Sequence, residues 1–266
     1  MDNTQLVTLN TAIDAQIVRV TDNQVFREEA RYIQRTCEKS NLKRVTDLGA
    51  WAGVLAKEVF DTGIKLDNYH LVDAASIYLD RAQALLQNFP TTQELVTLLP
   101  QGYVGHPPKT MLVNAFDTVN TSSIYSEHFV SPAVKEINCR VDLADSQMVP
   151  DYVKNNPDKF AQDTYVKIDL DGVDINLVEE IIHQGLEPGA IHFEVWHVFK
   201  NGYARVARLL QSKGYKMPTM DLDMHKNYSV GVSKDYFWAV GYDVDNGKFT
   251  YTYYDLDHGD YPVPQV

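Results

Sequence analysis

"VTDLGAWAG", residues 45–53, decides how the rest of the chain is read. An apolar lead-in carries an acid at Asp47, the chain turns at Gly49, and a helical pattern starts at Gly53. A strand closed by an acid and followed by a Gly-containing turn into a helix lets backbone approach a ligand at the carboxyl end of a parallel strand. Two common versions of this device fail on spacing. Counted from Gly49, a dinucleotide fingerprint G-x-G-x-x-G meets Trp51 and Val54 where glycines are required, and no G-K-[ST] follows to make a phosphate loop.

Outward from that stretch, strand-like and helix-like segments alternate. "KRVTDL", "NYHLVD", "ELVTLL", "TYVKIDL", "AIHFEVWHV" and "GYKMP" read as strands, and residues 52–60, 76–89, 174–184 and 201–213 read as helices. That order implies parallel strands joined by crossover helices, hence an α/β fold with a doubly wound, mostly parallel sheet. Ahead of it, residues 4–40 carry apolar positions at helical spacing in two stretches, so residues 1–40 are expected to form a helical cap and 41–266 the main domain. Residues 100–162 are rich in turn signals and read as insertions over one end of the sheet, with "TMLVNAF" and "AVKEINCRV" as strand candidates. "YFWAVGYDVDNGKFTYTYYD" places two alternating aromatic runs around Asp245-Asn246-Gly247, the pattern of an antiparallel hairpin.

Composition narrows the function. The 266 residues include 24 basic and 36 acidic side chains, a net charge of -12, and the resulting field repels nucleic-acid backbones and anionic lipid. Two cysteines, Cys37 and Cys139, lie far apart and suggest buried thiols instead of a disulfide framework or zinc site. The N-terminal residues lack the pattern of a secretory signal, and no apolar run approaches the roughly 20 residues that span a bilayer. A cytoplasmic protein without a membrane or nucleic-acid partner is expected.

The D-x-G-x-x-x-G arrangement of Asp47, Gly49 and Gly53, with Asp73 closing "YHLVD" 20 residues later, resembles class I S-adenosylmethionine-dependent methyltransferases. "DTYVKIDLDGVDINLVEEII", "IHFEVWH" and "ARVARLLQSKGYKM" resemble more narrowly the second half of the FkbM-type family. Lys167, Ile168, Asp169 and Gly172 match its K-I-D-x-E-G segment, Asp171 stands where the family prefers Glu, and Asp142 suits a preceding leucine-aspartate position. The resemblance covers residues 45 to 218. It implies a seven-stranded Rossmann-like methyltransferase sheet and S-adenosylmethionine as cofactor. It also implies a cofactor site made of Asp47, Gly49, Ala50, Trp51, Gly53, Asp73 and Ala74, with glycines clearing space for the ligand and Asp73 gripping the ribose.

Methyl transfer is an in-line displacement from an activated sulfonium, so the protein's task is to align the acceptor and offer a proton sink. Asp169 and Asp171 at the end of "TYVKIDL", with Glu194 and His197 in "AIHFEVWHV", are the candidate catalytic residues. Alternation puts His192, Glu194 and Trp196 on one face of that strand and Phe193, Val195 and His197 on the other. Asp169, Asp171 and Glu194 could also hold a divalent cation through oxygen ligands, a less favoured arrangement. Tyr103, His106, Tyr125 and His128 are candidate acceptor contacts, suited to a sugar or small metabolite. "NNPDKF" superficially resembles the Asn-Pro-Pro-aromatic loop of amino-group methyltransferases but lies before the "YVKIDL" strand instead of after it, so that comparison implies an oxygen acceptor and not an amine. A protein or peptide methyltransferase, and a non-catalytic scaffold of the same fold, are the alternatives. The terminal aromatic hairpin offers an edge at which a second copy could pair.

Overall fold

The computed structural model describes residues 11, 14, 24–115, 120–123, 138–170, 172–195, 200–218 and 226–243. Seven strands make the central sheet: β1 (Arg44–Leu48), β2 (Asn68–Asp73), β3 (Thr91–Leu95), β9 (Thr164–Ile168), β10 (Ala190–Val195), β11 (Lys226–Ser233) and β12 (Phe237–Asp243). Their order is β12-β11-β10-β9-β1-β2-β3. The five from β10 to β3 run parallel, whereas β11 is antiparallel to β10 and β12 antiparallel to β11. This is a doubly wound, mostly parallel α/β sheet ending in an antiparallel hairpin.

Helices cover both faces, so β1 and β9 are buried almost throughout, even at polar positions such as Thr46, Asp47 and Lys167. One face packs on α1 (Gln24–Lys39), α2 (Val54–Asp61) and α3 (Ser76–Leu85). In α1 the buried side chains Glu29, Ala30, Ile33, Thr36 and Cys37 recur at helical spacing and form one stripe. Tyr32 of the same helix stacks on Trp238 of β12 with ring centroids 4.9 Å apart. The other face packs on α4 (Val149–Asn155), α5 (Asp174–His183) and α6 (Lys200–Ser212) through Leu48, Val72, Val166, Ile168, Ile191 and Phe193.

Within the 100–162 region, β5 (Thr110–Ala115) pairs antiparallel with β6 (Asn120–Ser123) and β7 (Asn138–Asp142) in a separate three-stranded sheet. β4 (Thr97–Leu99) pairs in parallel with β8 (Ser146–Met148). Met111 and Val141 of the three-stranded sheet bury against Tyr78 and Trp51, which seats this layer on the turn after β1.

Several expectations are corrected. "ELVTLL" is two strands in two sheets, because the chain breaks at Val96, whose N–H bonds the Asp73 carbonyl at 3.0 Å. "GYKMP" is not a strand: Gly214 at φ +85° ends α6, and the segment is pinned by buried Tyr215 and Met217, so its alternation reflects packing and not a ladder. The seventh strand is β11, "KNYSVGVS", which the sequence reading passed over. The described hairpin turns between β11 and β12, where Ser233 Oγ accepts the N–H groups of Asp235 (3.2 Å) and Tyr236 (3.1 Å). The turn expected at residues 245–247 and the first N-terminal helix lie outside the described residues, apart from Thr11 and Asp14 of that helix.

Candidate functional site

β1 and β9 are neighbours at the centre of the sheet, and the chain leaves them toward opposite faces, β1 into α2 and β9 into α5. The strands therefore part at their carboxyl ends, and that crevice is where an open α/β sheet binds ligands. Register places Asp47 of β1 beside Lys167 of β9, and Lys167 beside His192 of β10, all on the face that α1 and α2 cover.

Asp47 is 1% exposed. Its Oδ2 accepts the Tyr69 hydroxyl at 3.0 Å, and its Oδ1 lies 3.2 Å from the Lys167 ammonium. Lys167 also reaches Asp169 Oδ2 at 3.1 Å and the Gly49 carbonyl at 3.5 Å. Burial works against the Lys167 charge, but Asp169 and Asp47 outweigh it and hold the amine protonated, its pKa raised above the ordinary lysine range. Asp169 itself is half-exposed, 49% at the side chain, and faces the crevice.

The turn after β1 is wound onto β2. Gly49 and Ala50 both donate to the Val72 carbonyl, at 2.9 and 3.0 Å. Trp51 takes φ +47°, a left-handed conformation that costs a non-glycine residue about 1–2 kcal/mol. It is held there by donating its N–H to Asp73 Oδ2 at 2.9 Å, while Ala75 donates to Oδ1 at 2.9 Å. Asp73 is 8% exposed, and burial lifts its carboxyl to about 7 against the pull of these backbone donors. The acid expected to grip a ribose is thus first a brace between two turns, with the Ala74 N–H a third backbone donor acting on it. Ala74 sits between them and accepts the Ala144 N–H through its carbonyl at 2.9 Å, tying in the insertion.

The glycines serve protein packing at these positions. A Cβ on Gly49 would stand 1.8 Å from the Asp169 carbonyl oxygen, and one on Gly53 would stand 2.8 Å from Ala82 Cβ of α3. Both have positive φ, +86° and +73°. What the missing side chains admit there is another strand end and another helix.

Beside this crevice a cleft of about 190 Å³ is lined by Gly172, Asp174, Asn176, Glu194, Gly202 and Arg205, among others. Asp174, the first residue of α5, is buried. It accepts N–H groups from Leu170 (3.3 Å), Gly172 (3.3 Å) and Glu194 (3.4 Å), so it ties the loop after β9 to β10. Burial, with Asp169 nearby, raises its carboxyl to about 7. Glu194 faces this cleft. Asp171, His197, Tyr125 and His128 lie outside the described residues. Tyr103 and His106 sit on an exposed loop where the tyrosine hydroxyl donates to the His106 carbonyl at 3.2 Å, and Asp142 ends β7 on the surface.

Two groups that the sequence reading gave no role complete the layer under α1. Ser229 Oγ donates to Glu29 Oε1 at 3.0 Å, so the 2.7 Å contact with His192 is made by a proton on His192 Nε2. Burial, then Lys167, keep the His192 pKa well below the ordinary histidine range, and the ring is neutral. Glu29 had no local signal beyond a polar residue on the buried stripe of a helix. Among the described residues no three His, Cys, Asp or Glu side chains converge in a metal-binding group, and no helix is long and apolar enough to cross a membrane.

No protein-family profile matches the chain, and no curated protein matches it. Among solved structures it is similar to a precorrin-6y C5,15-methyltransferase from Geobacter metallireducens, at 13% identity over 68% of this chain and 69% of that one, with a TM-score of 0.33. It is also similar to an S-adenosylmethionine-dependent methyltransferase from Clostridium acetobutylicum, at 11% identity over 91% and 78%, TM-score 0.35. A methyltransferase FkbM from Methylobacillus flagellatus aligns at 12% identity over 63% of this chain and 37% of its own, TM-score 0.30. The strand order and register, and not these alignments, carry the fold assignment.

Proposed function

We propose that the chain is an S-adenosylmethionine-dependent methyltransferase that transfers to a hydroxyl of a sugar or small metabolite. The observation that carries this reading is the acid-rich crevice where β1 and β9 part, entered by a left-handed turn at Gly49 and Trp51. Asp47, Asp73, Asp169, Asp174 and Glu194 stand at the carboxyl ends of four adjacent strands or the loops leaving them, and of these the half-exposed Asp169 presents the charge that complements a cation and disfavours an anionic nucleotide. A sulfonium nucleoside fits that chemistry, and when bound it supplies an already activated methyl group.

In this reading Asp47, Gly49, Ala50, Trp51, Gly53, Asp73 and Ala74 form the cofactor wall, with Asp73 both bracing the turns and offering its remaining acceptor capacity to a ribose. Asp169 and Glu194 face the acceptor side. Their carboxylates orient a hydroxyl along the line of displacement, and Asp169 Oδ atoms receive its proton as the oxygen attacks. Residues 1–40 act as the cap, and the 100–162 insertions, seated on Trp51, roof the main domain of residues 41–266. Calorimetry with S-adenosylhomocysteine tests the reading. Saturable binding supports it, and absence of binding at millimolar ligand rejects it. Asp169→Asn should then depress turnover more than cofactor affinity, in a homocysteine-coupled screen of hydroxylated metabolites and glycosides.

A further inference from the structure

Lys167 is a lysine in the middle of a strand whose residues are all buried, with 8% of its side chain exposed. Nothing in the requirements of a sheet interior calls for an ammonium there, and an uncompensated one would lose its proton. Asp169 at 3.1 Å and Asp47 at 3.2 Å keep it charged, with Glu29 of α1 adding to the field, and the ammonium in turn opposes the burial that raises the Asp47 carboxyl. Where β1 and β9 part, two acids in direct contact with one base leave a small negative excess next to the crevice.

The structure assigns to Lys167 the setting of that charge: we propose that it tunes how strongly the crevice prefers a cationic ligand over its neutral counterpart. On the cofactor reading above, on which this inference rests, the pair is S-adenosylmethionine and S-adenosylhomocysteine. The two share adenine, ribose and amino-acid groups and differ by one methyl and one unit of charge at sulfur. Transfer discharges the sulfonium, so unopposed carboxylates beside it would stabilise the ground state more than the transition state and slow the step. An ammonium between Asp47 and Asp169 removes part of that grip while keeping both acids in place.

The test is the ratio of the two affinities, measured by calorimetry on the full chain at neutral pH. Lys167→Met should raise the S-adenosylmethionine preference about tenfold, as expected for one charge acting across several ångström of partly screened protein. Lys167→Arg should leave the ratio unchanged. Asp169→Asn, which neutralises a half-exposed side chain and leaves Asp47 paired, should lower it about tenfold. A ratio unmoved in Asp169→Asn, or unmoved in a folded Lys167→Met, overturns the proposal. Should Lys167→Met not fold by circular dichroism, the arginine and asparagine variants decide it. A wild-type chain that binds neither ligand overturns the cofactor reading itself, a different outcome from two equal ratios.

Discussion

The backbone N–H of Trp51 donates to Asp73 Oδ2 at 2.9 Å, so the acid closing β2 holds the turn that leaves β1. With Ala75 on the other oxygen at 2.9 Å, one carboxylate satisfies two buried or half-buried backbone donors. Asp73→Ala should therefore cost about 2 kcal/mol of unfolding free energy even without ligand, the order expected when buried N–H groups lose their acceptor. The pH dependence has a definite sign. Burial places the Asp73 carboxyl at about 7 in the folded chain, above its ordinary range near 4, so between those values the native state binds a proton that the unfolded chain has released. Stability falls as pH rises through that window, by at most about 1.4 kcal/mol per pH unit for this group. Asp174, also lifted to about 7, acts in the same direction. Urea midpoints of wild type, Asp73→Asn and the double variant with Asp174→Asn, compared at pH 5 and 7.5, should show the slope diminishing step by step.

The two glycines of the turn combine a positive φ with no room for a side chain. Gly49→Ala would drive a methyl to 1.8 Å from the Asp169 carbonyl at a backbone angle of +86°, and separating β1 from β9 there should cost about 3 kcal/mol or more. Gly63 has nearly the same angle, +84°, but open space around it. Gly63→Ala should cost only the conformational penalty of about 1 kcal/mol. Thermal melts of the two variants separate strain from collision, and equal losses would reject the close-approach account.

Glu94 of β3 stands on the face away from the crevice, in a cluster that anchors α4 and the short 3-10 helix Pro157–Phe160. Thr92 Oγ1 accepts from Asn68 at 2.8 Å and gives its own proton to His70 Nδ1 at 2.7 Å. His70 Nε2–H therefore donates to Glu94 at 3.0 Å. Tyr152 donates to the same Glu94 oxygen at 3.0 Å, and Lys159 pairs with it. Burial raises this carboxyl, but His70, Lys159 and Tyr152 together hold it down at about 2. Its stabilisation is complete above the ordinary glutamate range and disappears as pH falls from there toward 2. Glu94→Gln should lose about 1–3 kcal/mol at pH 7 and much less at pH 3, read from urea unfolding at both values.

The parallel core of the sheet was legible because β1, β2, β9 and β10 are short segments with Val, Ile, Leu, Tyr or Phe at core positions, set between helical patterns, although each also carries polar residues. β11 was not, since "KNYSVGVS" interleaves serines and a glycine that answer to partners outside the strand: Ser229 to Glu29, 200 residues away, and Gly231 to the Trp238 indole opposite it in the hairpin. The site divides the same way. Asp47, Gly49 and Asp73 announce themselves by local spacing, yet the spacing does not reveal that Asp73 is occupied by backbone donors or that Gly49 yields its room to Asp169. Lys167 could be noticed as a charge inside an apolar strand. One partner, Asp169, stands two residues further along the same segment, but the other, Asp47, comes from the neighbouring strand, and a linear pattern does not join it.

Glu29 meets Ser229 and Thr36 meets Tyr236, two contacts each closed across 200 residues between the first described helix and the last two strands. During translation Glu29, Tyr32 and Thr36 of α1 thus wait for their partners until the C-terminal hairpin has left the ribosome, while Ala30, Ile33 and Cys37 can already pack on β1 and α2. A nascent chain halted before residue 226 would carry that helix with its tyrosine, threonine and glutamate uncovered.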